Sequence, residues 1–125
     1  MGWFSKKPQT PLKLPWRQLE SKEALEALFN SPSEVPFLLF KHSTRCGISS
    51  FVLSKFESEW NLAEDTCHLY YLDLLQYREI SAKIASLSGV VHQSPQLILV
   101  HAGNVIYHAS HNEIEASVIH KKLIA

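Results

Sequence analysis

A chain of 125 residues with 46% hydrophobic positions fits one domain with one ordinary core and is too apolar for disorder. Twelve basic residues balance twelve acidic ones. No field of one sign is therefore available to steer nucleic acid or an acidic membrane, and neither is expected as a partner. No apolar run approaches the roughly 20 residues that a membrane-spanning helix needs.

Residues 1–15 are basic and rich in turn formers, with no apolar stretch of the kind that a secretory signal carries. The Met-Gly start does not continue into a myristoylation motif, because Lys6 stands where Ser or Thr is required. The expectation is a short mobile tail over 1–15, with Trp3 and Phe4 docked on a single domain that runs from 16 to 125.

Ser21 to Asn30 carries Leu25, Leu28 and Phe29 at helical spacing and is stopped by Ser31-Pro32. Val35 to His42 contains the run Phe37-Leu38-Leu39-Phe40, which suits a strand buried on both faces. Ile48, Phe51, Val52, Phe56 and Trp60 then fall on one helical stripe, with Ser50, Ser54, Glu57 and Ser58 away from it. Thr66 to Leu74 reads as a second buried strand. Tyr77, Ile80, Ile84 and Leu87 mark a further amphipathic helix that Gly89 ends.

Beyond Ser94-Pro95 the pattern changes. Gln96 to His101 and Val105 to Ala109 are short strands joined by Ala102-Gly103-Asn104, a hairpin signal that makes them antiparallel. Ser110 and Glu113 have capping-box spacing and should open a last helix carrying Ile114, Val118, Ile119 and Leu123. The resulting order is α, β, α, β, α, β, β, α. An α/β layout of this kind, with a four-stranded mixed sheet and helices on both faces, is that of the thioredoxin fold.

Two cysteines, Cys46 and Cys67, are too few for a secreted disulfide scaffold and suit a cytoplasmic protein with reduced thiols. Cys46 falls between the first buried strand and the helix that follows it. There the carboxyl end of a strand presents side chains to ligands. The unpaired N–H groups and dipole of a helix start favour a thiolate. Lys41 and Arg45 would add positive potential, and Ser43 and Thr44 are polar neighbours that speak against burial. The thiolate is the attacking species in disulfide exchange.

Ser49, three residues after Cys46, stands where a second cysteine would complete a C-x-x-C dithiol. Serine cannot resolve a mixed disulfide, so the expected chemistry is monothiol, with the hydroxyl donating back to the thiolate. Cys67 should not serve as the resolving thiol. A strand of about six residues, near 20 Å at 3.3 Å per residue, separates the two levels, whereas a disulfide needs Cα atoms within about 7 Å. Cys67 is read as a buried small hydrophobe.

Ser94-Pro95 opens the next strand opposite the helix that carries Cys46. A cis bond there would turn the Ser94 backbone toward a bound thiol or peptide. Seven histidines raise the question of a metal, and His101 and His108 are read as able to approach across the hairpin. No metal-binding motif is present, and none is expected.

Several stretches together resemble the YtxJ family, the monothiol bacilliredoxins. They are Phe40-Lys41-His42-Ser43-Thr44-Arg45-Cys46-Gly47-Ile48-Ser49, Asp73 with Tyr77-Arg78-Glu79-Ile80-Ser81, Gly89-Val90-Val91-His92-Gln93-Ser94-Pro95-Gln96, and Ser110-His111. The resemblance runs from about Trp16 to the C-terminus. It implies a thioredoxin-fold oxidoreductase that removes bacillithiol from S-bacillithiolated proteins, with that low-molecular-weight thiol as co-substrate. A cytoplasmic monomer with no tightly bound cofactor is expected. Carried over, Cys46 is the nucleophile and Ser94-Pro95 the cis-proline element; with the residues read from position, Ser49 is expected to accompany the thiol, and Lys41, Thr44, Arg45, Gly47, Ser94 and Pro95 to form the substrate-binding set. Members of that family often have proline after the cysteine, where this chain has Gly47.

Cys46-Gly47-Ile48-Ser49 is also one residue from the Cys-Gly-Phe-Ser of monothiol glutaredoxins, which are iron–sulfur carriers. Their Gly-Gly-Asp element is replaced here by His108-Ala109-Ser110-His111-Asn112. A non-catalytic interaction module with an unreactive Cys46 is the third alternative.

Overall fold

A computed structural model describes residues 12–31 and 34–124. The elements in chain order are β1 (Arg17–Gln18), α1 (Lys22–Asn30), β2 (Phe37–His42), α2 (Gly47–Glu59), β3 (His68–Asp73), α3 (Arg78–Ser88), β4 (Gln96–His101) and β5 (Asn104–Ser110). A 3-10 turn (His111–Glu113) and α4 (Ala116–Ile124) follow. The sheet has five strands in the order β1-β3-β2-β4-β5, not the four that the pattern predicts. The additional strand, β1, pairs in parallel with β3 through Arg17↔Tyr70 and Gln18↔Tyr71. Two residues carry no alternation, so nothing in the sequence marks them as a strand.

The chain crosses from β2 through α2 to β3, and these strands are parallel. β4 is antiparallel to β2, and β5 to β4. The run Phe37-Leu38-Leu39-Phe40 is buried on both faces, as its continuity predicts. Leu38 and Phe40 join Val52, Leu53, Phe56, Ala116 and Ile119 on the α2/α4 side. Phe37 and Leu39 join Leu25, Ile80 and Ile84 on the α1/α3 side. Leu97 and Leu99 divide from Ile98 and Val100 in the same way.

Three local expectations are corrected. The buried face of α2 is Ser49, Val52, Leu53, Phe56 and Glu57. Ile48 and Phe51 are 67% and 70% exposed, and Glu57 is 6% exposed. The apolar stripe is thus rotated from the one predicted, because polar Ser49 and Glu57 occupy core-facing positions. The hairpin loop is Ala102-Gly103, with φ of 52° and 81°, and Asn104 already belongs to β5. A Cβ on Gly103 would lie 2.9 Å from the carbonyl oxygen of Phe29, so only glycine fits this loop without a shift. Ser110 makes no side-chain cap and leads into the 3-10 turn, so α4 begins only at Ala116.

Other signals hold as written. Ser21 caps α1 by accepting from the Ala24 N–H, and Gly89 ends α3 at φ 74°. Lys13 and Leu14 already touch the domain, the first through its N–H to Glu57 and the second against the α2/α4 core. Docking of Trp3 and Phe4, and a stop at Pro32, lie outside the described residues.

Candidate functional site

Cys46 is the N-cap residue of α2, half-exposed, with extended backbone angles (φ −104°, ψ 117°). A turn over Ser43–Arg45 carries the chain to it from the end of β2, and the Cys46 N–H donates to the Ser43 carbonyl at 3.1 Å. Its side chain makes no capping hydrogen bond. The first backbone N–H groups of a helix have no partners within it, so the sulfur sits where partial positive charge gathers.

Ser94-Pro95 is a cis peptide. The register places it at the same end of the sheet, because Lys41 pairs with Gln96 and Pro95 is one residue further toward the Cys46 level. Thr44 is half-buried, while Arg45 and Gly47 are exposed beside the thiol. These residues and the Ser94-Pro95 backbone lie at one end of the sheet. Among the described residues, the Ser94 hydroxyl is enclosed without a hydrogen-bond partner.

Two predicted roles change. Lys41 is fully buried and follows Phe37 and Leu39 in the alternation, which turns it to the α1/α3 side, opposite the face that α2 covers. Its Nζ lies 3.1 Å from Nδ1 of His92, and burial lowers its pKa to about 8. Ser49 is also fully buried, and its recorded partners are His42 and Ser43 rather than Cys46. The hydroxyl faces the core because residue 49 is on the buried face of α2.

Four residues that pattern reading missed support this end of the molecule. His42 is buried against Ser49, with its Nδ1 2.7 Å from the hydroxyl. Burial pushes its pKa down, against the opposing pull of Asp73 and Glu57. Glu57 accepts from the Trp16 indole N–H at 2.8 Å and the Lys13 N–H at 2.9 Å. Gln96 holds the segment before the cis bond by donating to the Val91 carbonyl at 2.9 Å and accepting from the Gln93 N–H at 3.4 Å. His92 joins Lys41 to Ser81, whose hydroxyl is 3.3 Å from Nδ1. The available signal was polarity inside an apolar run: Lys41 and His42 directly continue the buried strand.

Cys67 is 2% exposed, just before β3, and burial pushes its thiol up to about 12. His68 pairs with Phe37 at the start of β2, whereas Cys46 follows the end of β2. The two sulfurs therefore belong to opposite ends of the sheet, and neither is in a disulfide. The expected approach of His101 to His108 does not occur, since His101 pairs with Asn104 and His108 with Ile98. Among the described residues, no three His, Cys, Asp or Glu side chains are grouped so as to hold a metal. No described helix is long and apolar enough to cross a membrane.

Residues 17–119 match the family model described as monothiol bacilliredoxin BrxC. The chain belongs to the monothiol bacilliredoxin family. Its fold is similar to that of a solved structure described as having a thioredoxin fold, at 28% identity and a TM-score of 0.70, covering 83% of this chain and 89% of that one. Thioredoxin from Trypanosoma brucei brucei matches at 16% identity and a TM-score of 0.67 over 95% of this chain and 96% of that one. Fasciola hepatica thioredoxin matches at 19% identity and 0.64 over 86% and 96%. The two thioredoxins establish the fold. Family and fold together make this bacilliredoxin-family chain a thiol oxidoreductase.

Proposed function

We propose that this protein removes bacillithiol from S-bacillithiolated proteins in the cytoplasm, acting as a monomer through a mixed disulfide on Cys46. The observation that carries the monothiol part is the isolation of Cys46. It is half-exposed at a helix N-terminus with serine three residues on, and the second thiol is buried at the far end of the sheet. Bacillithiol as the small thiol rests on membership of the family.

The Cys46 thiolate attacks the bacillithiol sulfur of the protein mixed disulfide. That S–S bond breaks, its electron pair leaves on the substrate cysteine as a thiolate, and bacillithiol is now disulfide-bonded to Cys46. A second low-molecular-weight thiol then attacks the bacillithiol sulfur. It releases the Cys46 thiolate and carries bacillithiol away as a small disulfide. Exposed Ile48 and Phe51 beside the thiol, and Val91 ahead of the cis bond, offer apolar surface to a protein substrate. The exposed cation of Arg45 suits an anionic small thiol. The cis bond at Ser94-Pro95 and its place at the Cys46 end of the sheet support pairing of the Ser94 backbone with an extended substrate segment.

The test is release of bacillithiol from a model protein mixed disulfide, run beside the glutathione mixed disulfide of the same protein. Faster release of bacillithiol, abolished in Cys46→Ser and retained in Cys67→Ser, is expected. Equal loss in the two variants would overturn the monothiol cycle, and faster release of glutathione would overturn the choice of thiol.

A further inference from the structure

Ser49 replaces the second cysteine of a dithiol site, yet its hydroxyl is neither idle nor turned to the thiol. It accepts from the Ser43 N–H at 3.1 Å and lies 2.7 Å from His42 Nδ1. A hydroxyl has one proton and two lone pairs, so it can accept from Ser43 and donate to an unprotonated Nδ1 at once. All three partners are buried or half-buried, so water is a poor substitute for any of them.

The consequence reaches Cys46 through one peptide. Ser43 is held at both of its backbone polar groups, its N–H by Ser49 and its carbonyl by the Cys46 N–H at 3.1 Å. The turn that delivers Cys46 is thereby tied to the first turn of α2 behind it and to the last residue of β2. Cys46 itself has no side-chain capping bond to fix it. Placement of its sulfur over the helix N-terminus is left to the backbone of this turn.

We propose that Ser49 and His42 are positioning residues for Cys46, their hydroxyl–imidazole pair anchoring the Ser43–Cys46 turn so that the thiol is held at the start of α2. The proposal rests on Cys46 being the reacting thiol. Burial, which keeps the imidazole neutral, suits Nδ1 to accept the hydroxyl proton. Serine at residue 49 is then a working part of the monothiol site.

The test is the rate at which Cys46 is alkylated by iodoacetamide at pH 7, with the modified residue located by mass spectrometry. Each variant is measured folded and again in denaturant, so that the ratio of the two rates isolates what the fold does to the thiol. Ser49→Ala is expected to lower this ratio about tenfold, the effect of one well-placed hydrogen bond. Ser49→Thr, which keeps the hydroxyl, should recover most of it. His42→Asn should lower it as well, and Ser49→Ala should lower it less in the His42→Asn background than in the wild type.

A wild-type ratio in Ser49→Ala would overturn the proposal and leave the hydroxyl a stabilising role only. Should Ser49→Ala fail to fold, His42→Asn decides alone, because it leaves the Ser43–Ser49 bond in place, and an unchanged ratio there overturns the proposal equally. Alkylation needs no mixed-disulfide substrate. Normal bacillithiol release from Cys46→Ser would instead mark failure of the nucleophile assignment.

Discussion

At the scale of single residues, Cys46 stands at the end of a buried strand and the start of a helix, beside polar neighbours. The direction of the Ser49 hydroxyl depends on more than its place in the helix. Spacing puts it on the same helical turn as Cys46, but which neighbour takes the proton depends on His42, a residue of the preceding strand. Gly47 gives a prediction at this scale. It is the first helical residue of α2, and nothing lies within 4 Å of where a Cβ would sit. Cys46 before it is extended, the conformation that a following proline requires. Gly47→Pro should therefore stabilise the fold by about 0.4–1 kcal/mol through a less flexible unfolded chain. A urea melt reads this as a higher midpoint, and a lower midpoint would show that the Gly47 N–H has a role that proline removes.

At the scale of elements, strands that are buried throughout announced themselves and two-sided helices did not. Phe37 to Phe40 could only be a fully covered strand or a buried helix, and the flanking Pro36 and short length decided it. In α2 two large apolar side chains, Ile48 and Phe51, pointed the stripe toward solvent instead of core. Size misleads there because the core-facing positions at residues 49 and 57 are taken by groups with partners on other segments, His42 for Ser49 and the Trp16 indole for Glu57. Hydrogen bonds satisfied across elements have no periodicity, so no window of sequence reveals them. β1 was missed for a related reason: its existence depends on the free edge of β3, not on its own composition. The last helix started late because the backbone after Ser110 is tied to the cis-proline segment, with the His111 N–H donating to the Pro95 carbonyl at 3.0 Å and φ of His111 at 55°.

At the scale of the whole molecule, the arrangement predicts how stability depends on pH. Burial first of all lowers the pKa of His42, His68, His92 and His120 in the fold, with the positive charges of Arg17 and Lys41 adding to the effect at His68 and His92. The unfolded chain takes up protons near the ordinary imidazole value of about 6.5, where the folded chain does not. The stability is fully present above about 6.5 and is lost as pH falls through the lower folded values. Urea melts at pH 7, 6 and 5 should show it declining, and a flat profile would mean that the histidines gain compensating partners on protonation. Reactivity is a separate property of the same architecture. It places one accessible thiol at the start of α2 and hides the other beneath β3's start. Mass mapping of the protein after reaction with a bacillithiol mixed disulfide, with no free small thiol present to complete the cycle, tests that division most directly: a single bacillithiol adduct on Cys46, with Cys67 unmodified, is predicted, and an adduct on Cys67 or a Cys46–Cys67 disulfide would contradict it.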